Sequence, residues 1–422
     1  MLKNYFKIAL AVLGRRKFFT FISLFGISIT LTVLLVATAF LDQVANAHYP
    51  DTQRDRILYV TRFFKWSRTH GSINGGNLGY YFITHYLNTL KVPEAIGFAS
   101  NSHLTNTYLG DKKFSLEMRQ TDAHFWDILR YDFLEGKPYS QAQIDHGDRV
   151  VVIGAKTRDD YFGRGASALG KYIVADNVTY RVVGVVRDEQ VANNLTAADI
   201  YLPYSLSKVS LDSRDLAGDY KGFLLAPASS DVPRMRREFN DMFAKVPLMD
   251  KDYDHQISWA DSYIASYSRN AFGGLGTKDF FANLERGSDG LGWFYLSLTL
   301  LVLLFMLIPT LNLININITR IMERSSEIGV RKSFGASSRT LVIQFIIENI
   351  FLTLLGALIA VALSLGAIAL INRAQPISNM YLSLQPRVLA YGLGYALFFG
   401  LLSGVYPAWR MSRLPIVTAL KA

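Results

Sequence analysis

Four long apolar runs divide the chain, and one short polar island between two of them carries the most information. The runs are Phe18 to Leu41, Leu291 to Ile318, Leu341 to Ile371 and Val388 to Tyr406. A bilayer-spanning helix needs about 20 mainly apolar residues, so each run is long enough to cross. The island, Glu327 to Ser338, lies between the second and third runs and predicts a short amphipathic helix held against the membrane surface. Ser325 or Ser326 can cap its start, and Gly335 stands where it would end. Glu327 and Arg331 are four apart in the favourable order for a surface pair. Val330 and Phe334, also four apart, share one apolar face. The other reading of this island is a solvated connector.

The runs set the domain plan. Residues 1–17 form a basic amphipathic lead, 18–42 a first span, 43–290 a soluble domain and 291–319 a second span. Residues 320–340 form a loop holding the amphipathic helix, 341–371 a third span, 372–387 a short loop, 388–407 a fourth span and 408–422 a tail. The first run is longer than a signal-peptide core, and Ala45-Asn46-Ala47 is a poor cleavage site, so it is expected to stay as a span. Arg15, Arg16, Lys17, Arg320, Arg324, Arg331, Lys332, Arg339, Arg410 and Arg413 flank the spans on one side. The positive-inside rule therefore puts both termini and the 320–340 loop in the cytoplasm, with Arg373 and Arg387 as exceptions. The fold class expected is an α-helical membrane protein with four transmembrane helices, one plus three. A large α+β extracytoplasmic domain lies between the first and second.

Within that domain, β-branched or alternating runs predict strands at Arg56–Thr61, Lys113–Arg119, Arg149–Ile153, Tyr180–Val186 and Asp199–Leu202. Helical patterns lie at Tyr80–Leu90 and Val232–Ala244. Gly273 to Gly276 and Gly287 to Gly290 suggest a flexible joint before the second span.

Charge sharpens the plan. The 422 residues carry a net charge of +10, with 50% hydrophobic residues. Residues 43–290 are nearly neutral, with 29 Lys and Arg against 30 Asp and Glu. The excess sits beside the spans, which argues for membrane topology and against nucleic-acid binding. The chain has no cysteine, which excludes disulfides, thiolate metal sites and cysteine nucleophiles.

Candidate chemistry is sparse. Gly165 to Tyr172 approaches a phosphate-binding loop, but Tyr172 stands where Ser or Thr must hold Mg²⁺. The seven His residues form no close metal-ligand pair. Asp250, Asp252 and Asp254 alternate as calcium ligands do, without the glycine and closing glutamate of an EF-hand. No metal site is expected. Polar residues inside the spans are Asn312, Asn315, Gln344 and Glu348. A carboxylate in lipid costs about 2.5–3.5 kcal/mol even on insertion scales, so Glu348 should face protein, be protonated or pair with a base such as Arg320 or Arg324. Gly356, Ala360 and Ser364 step by four and permit close helix contact, within the protomer or across a dimer.

The stretch Asn312 to Gly356, centred on Glu323-Arg324-Ser325-Ser326-Glu327-Ile328-Gly329-Val330-Arg331-Lys332-Ser333-Phe334-Gly335-Ala336, resembles the MacB/FtsX family of ABC-transporter permeases. The ending Tyr406-Pro407-Ala408-Trp409-Arg410 to Ala419-Leu420 is similar to the family's closing pattern, with Met411 in place of the usual Ala. Phe125–Lys137, Val150–Gly154, Leu169-Gly170-Lys171 and Tyr180–Asp188 resemble the MacB-type extracytoplasmic domain, and residues 46–116 match least. The resemblance implies a non-catalytic permease of the inner membrane working with a cytoplasmic ABC ATPase and a second permease protomer, as homo- or heterodimer. A periplasmic adaptor is a further partner of such permeases. No cofactor is expected on this chain, since ATP and Mg²⁺ would bind the ATPase. MacB carries its ATPase fused before the first span, and only 17 residues precede Phe18 here, so a separate ATPase chain is expected. The resemblance implies that Glu323, Glu327, Ile328, Gly329, Val330, Arg331, Lys332, Phe334, Gly335 and Ala336 form the coupling helix. The expected output is mechanotransmission, for export of peptides, antibiotics or lipophilic substrates. Lipoprotein release of the LolC/LolE type and FtsX-type control of cell-wall hydrolases are the alternatives within the family. A membrane-anchored sensor is the alternative outside it.

Overall fold

The soluble domain hangs on one eleven-residue strand, β1, that pairs with three others. The computed structural model describes residues 17–109, 112–189, 195–272, 287–301, 303–304, 330, 333–334, 337–374, 382–394, 397–398 and 401. These fall into two compact units: residues 46–295, and the residues up to 45 together with those from 296 onward.

In chain order the elements are α1 (Lys17–Ala45), β1 (Ile57–Ser67), β2 (Ser72–Leu78), α2 (Tyr80–His85), β3 (Ala95–Ser100), β4 (His103–Leu109) and β5 (Lys112–Thr121). Then come α3 (His124–Leu129), β6 (Phe133–Gly136), α4 (Gln141–Asp145), β7 (Val150–Gly154), α5 (Ala155–Phe162), β8 (Tyr172–Ala175) and β9 (Val178–Val186). The domain closes with β10 (Ile200–Pro203), β11 (Ala217–Gly218), β12 (Tyr220–Leu225), α6 (Val232–Phe243), β13 (His255–Asp261) and α7 (Tyr263–Phe272). Beyond it lie α8 (Leu291–Leu301), α9 (Ser338–Ala374) and helical residues 386–394.

Among the described residues thirteen strands form one mixed sheet, in the order β11-β2-β1-β12-β3-β5-β10-β7-β9-β6, with β13 on β1, β4 on β5 and β8 on β9. Both faces of its middle are buried. Ile57 and Tyr59 enter one core with Phe125, Phe223 and Leu225, while Leu58 and Val60 enter another with Phe82, Leu224 and Phe239. Successive strand side chains point to opposite faces, so one strand feeds two cores. A bulge between Val60 and Phe63 in the β1–β13 pairing then moves Phe63 to the second core, because one extra residue reverses the face. The same alternation splits β7: Val150 and Val152 join the first core, Val151 and Ile153 a third with Ile173, Val182 and Leu202. Burying each such side chain contributes on the order of 1.5–3 kcal/mol.

Helix α3 lies directly on β3 at Gly97, where an added Cβ would sit 2.9 Å from Ile128 Cδ1. That approach lets Phe125 and Trp126 pack edge-to-face in the first core. Ser140 caps α4 with a reciprocal bond to Gln143.

The strands expected from β-branched runs coincide with β1, β5, β7, β9 and β10, the expected starts at Arg56, Arg149 and Asp199 falling one residue before the observed strand, and the two expected helices start at α2 and α6. Two windows among the described residues, Thr20–Asp42 and Asn349–Ala374, are long and apolar enough to cross a membrane.

Candidate functional site

Of the expected coupling residues, only Val330 and Phe334 lie among the described ones. The Phe334 amide donates to the Val330 carbonyl at 3.1 Å, closing one helical turn. Both side chains are exposed, Phe334 to 88%. Ser337 then caps α9, its Oγ accepting from the Thr340 amide at 3.2 Å. Glu323, Glu327, Ile328, Gly329, Arg331, Lys332, Gly335 and Ala336 lie outside the described residues, as do Asn312 and Asn315. Gln344 and Glu348 sit on α9, their side chains outside what is described.

The small-residue stripe of α9 faces α1. A Cβ on Gly356 would come 2.3 Å from Ile27 Cγ2, so the glycine is what allows this approach. Ala360 is buried, and its carbonyl accepts from Thr32 Oγ1 at 3.4 Å. Ser364 is buried as well, and its hydroxyl has no hydrogen-bond partner among the described residues. On the last described helix, Gly392 takes the same kind of contact from Leu35. One face of α1 thus meets two helices of its own chain. Near its C-terminus, Asp42 is paired with Arg387. Asn372 bonds the Leu382 backbone in both directions, at 2.9 Å each, and ties the end of α9 to the segment that follows.

The two ends of the soluble domain are fastened. At its start, Arg54 pairs with Asp51 at 2.9 Å, donates to the Asn46 carbonyl at 2.6 Å, and lies 3.7 Å over the Tyr263 ring of α7. Tyr59 donates its hydroxyl to Asp51 and packs edge-on against Tyr263. At its end, Arg269 of α7 forks onto Asp261 at 2.7 and 2.9 Å, donates to the Gly287 and Ser288 carbonyls, both at 2.8 Å, and lies 4.2 Å over Trp259. Ser268 donates to the Asp289 carbonyl at 2.6 Å. The Asp289 carboxylate in turn accepts from the Leu291 amide where α8 begins. Where composition suggested a flexible joint at Gly287 to Gly290, the backbone carbonyls of Gly287, Ser288 and Asp289 are held by Arg269 and Ser268. Gly273 to Gly276 lie outside the described residues.

A polar network that the sequence did not advertise sits in the first core. Arg119 is fully buried on β5 and donates to the carbonyls of Ser100 and Ala197. Burial pulls its pKa down against the pull of Tyr201, Tyr131 and Glu189 nearby. The Glu189 carboxyl accepts from the Tyr131 hydroxyl and, at 3.0 Å, from Thr196. Burial pushes it up to about 8, outweighing those bonds and Arg119. Asp122 accepts from the Phe98 and Phe125 amides, yet burial carries it to about 7. Lys221, on β12, is lowered to about 7 by burial and by Arg119.

A cleft of about 480 Å³ opens elsewhere on the domain, lined in part by Leu104, Met118, Tyr180 and Lys208. His103 and Asp219 pair on its wall at 2.8 Å.

The near-miss phosphate loop has the wrong frame. It runs from α5 into β8, whereas phosphate loops join a strand to a helix. A carboxylate also fills it: Glu135 accepts from Ser167 Oγ at 2.6 Å and the Ala168 amide at 3.1 Å. Asp250 and Asp254 are occupied by Lys65 and by Ser67 and His255. Among the described residues no group of three or more His, Asp or Glu is placed to hold a metal ion.

An α+β domain inserted after one long apolar helix, with further apolar helices packed back on that helix, defines a membrane-anchored protein with an extramembrane domain. Residues 20–241 match the family of the MacB-like periplasmic core domain, and residues 299–416 the FtsX-like permease C-terminal family. The chain belongs to the MacB/FtsX family of ABC-transporter permeases. The match includes residues 46–116, where the sequence resemblance was weakest. The chain is 24% identical over 329 residues to the pyoverdine export ATP-binding/permease protein PvdT of Pseudomonas fluorescens, covering 76% of this chain and 45% of that one. It is 26% identical over 327 residues to the macrolide export ATP-binding/permease protein MacB of Wolinella succinogenes, covering 76% and 46%. The periplasmic region of MacB from Actinobacillus actinomycetemcomitans aligns at 15% identity with a TM-score of 0.35, over 51% of this chain and 93% of that one. The chain spans about half the length of the curated relatives it matches.

Proposed function

We propose that this chain is the permease of an ATP-driven exporter in the inner membrane, crossing the bilayer four times with both termini cytoplasmic and residues 43–290 outside. A cytoplasmic ABC ATPase on a partner chain docks against the 320–340 loop. A second permease protomer completes the assembly. ATP and Mg²⁺ bind the ATPase, and hydrolysis is passed through the helices as motion of the extracytoplasmic domain. The observation that carries this reading is Phe334, a large apolar side chain left 88% exposed one helical turn after exposed Val330, just before the cap of α9. An isolated exposed apolar residue is ordinary, but a pair on one face of a short turn suits burial in a partner's cleft. Relatives described as exporters of pyoverdine and of macrolides support export of medium-sized, partly apolar molecules.

The test is affinity capture of the full chain from membranes of its own host. An ABC ATPase should come with it, and ATP hydrolysis by the complex should respond to candidate export substrates. Capture without any ATP-hydrolysing partner, under conditions that keep the permease folded, would reject the reading.

A further inference from the structure

We propose that α7 is a bracket that makes the two ends of the extracytoplasmic domain move as one, with Arg54 and Arg269 as its two fasteners. The inference rests on the reading that motion passes between the membrane helices and this domain, and it adds the side chains that would carry it. An unbroken series of contacts joins the ends. The Asn46 carbonyl is held by Arg54, and Arg54 is held by Asp51 and the Tyr263 ring. Tyr59 bonds Asp51, packs on Tyr263 and pairs in register with Asp261. Asp261 holds Arg269, and Arg269 holds the Gly287 and Ser288 carbonyls just before α8.

Two features make this a bracket rather than two separate clasps. Both fasteners engage the same ten-residue helix, Arg54 over its first residue and Arg269 from its last turn. Both ion pairs are largely buried, the side chains of Arg54 and Asp51 being 7% and 1% exposed and those of Arg269 and Asp261 12% and 10%. The forked guanidinium of Arg269 on buried Asp261 has one good geometry, and Arg54 is held between buried Asp51 and the Tyr263 ring, so displacement at one end must either break these contacts or drag the helix along. Coupling of this kind needs a contiguous network, and it needs proof that the ends respond together.

Hydrogen exchange of the full chain in lipid nanodiscs supplies that proof. Arg269→Ala should speed exchange about tenfold or more in 287–292 and also in 46–54. Arg54→Ala should do the reverse, raising 287–292 along with its own end, while β7 (Val150–Gly154) stays protected as the fold control. Should Arg269→Ala release β7 too, Arg269→Lys decides by the same criterion, since it keeps the charge and loses the fork. Exchange that rises only at the mutated end, in both variants, would overturn the bracket. No ATPase enters this measurement. Loss of the export reading with both ends still responding together would leave the bracket standing, and separate responses in a chain that does couple to an ATPase would remove it alone.

Discussion

Arg387 forks onto Asp42, with Nε 2.6 Å from one carboxylate oxygen and Nη2 2.9 Å from the other. Arg387 is one of the two basic residues that broke the positive-inside pattern, and the pair cancels its charge beside α1. Asp42 is 5% exposed and Arg387 43%, so the two partners are not equivalent. Removing the arginine strands a buried carboxylate, whereas removing the aspartate leaves a guanidinium that can still reach water. Arg387→Ala should therefore lower the melting temperature in detergent more than Asp42→Ala, the larger loss being roughly 1–3 kcal/mol. The opposite order would show that the pair is not what holds this end of α1.

Gly356 and Ile27 give a second test. An added methyl at Gly356 meets Ile27 Cγ2 at 2.3 Å, a distance no relaxed contact tolerates. Overpacking of this kind costs about 1–3 kcal/mol. Gly356→Ala should reduce thermal stability of the full chain, and Ile27→Ala in the same molecule should restore most of it. Additive losses in the double variant would place the two residues apart.

How much of this was readable beforehand depended on whether a residue's role is local. The apolar runs announced α1 and α9 by length alone, and the β-branched Val150–Ile153 and Val182–Val186 announced β7 and β9. β12, Tyr220–Leu225, gave no alternation because all six of its residues are buried between two cores. β2 reads Ser-Ile-Asn-Gly-Gly-Asn-Leu, which suggests a loop, yet a Cβ on Gly75 would lie 2.2 Å from the Phe64 ring, so the neighbouring strand requires that glycine. Nothing in the sequence around Arg119, Arg54 or Arg269 marks them as buried. Their partners, the Ser100 and Ala197 carbonyls, the Tyr263 ring and the 287–288 backbone, come together only in the folded chain. The polar island stands out by its position between two apolar runs, and its exposed Val330 and Phe334 lie on one helical turn, which is as much of it as the described residues include.

Acid should stabilise the extracytoplasmic domain. Glu189 titrates near 4.5 when unfolded and about 8 when folded, and Asp122 moves from 3.8 to about 7, both because burial disfavours the charge. A raised carboxyl pKa means that the folded state holds its proton more tightly. The contribution is complete below about pH 4 and is lost as pH rises through the window up to about 8. Glu189→Gln keeps the neutral form at every pH. Melting curves of the full chain from pH 5 to 8 should fall with pH in the wild type and be flatter in Glu189→Gln. Equal slopes would mean that Glu189 is already ionised in the folded protein.

Topology can be read with single cysteines, because the chain has none of its own. Ser140→Cys, at the exposed cap of α4, should react with a membrane-impermeant maleimide in intact cells. Ser337→Cys, at the cap of α9, should react only after permeabilisation. Labelling of position 337 from outside would invert the four-span arrangement and remove the ATPase from this loop.

The turn from Val330 to Phe334 makes the sharpest prediction. Phe334 is exposed, and among the described residues its hydrogen bond is the backbone one to Val330, so shortening it should remove little from the fold of the chain itself. If an ATPase cleft takes the ring, the interaction lost is burial of one large apolar side chain, about 1.5–3 kcal/mol, or roughly ten- to a hundredfold in affinity. Phe334→Ala should then be made and inserted at normal levels, melt like the wild type, and bind the ATPase that much more weakly or leave its hydrolysis unresponsive to substrate. Phe334→Leu retains most of the apolar area and should recover much of the binding. Val330→Ala should act in the same direction with a smaller effect, because Val330 is the smaller and less exposed of the pair. A solvated connector predicts wild-type expression, melting, association and transport for all three variants, and that result would remove this turn from the coupling path.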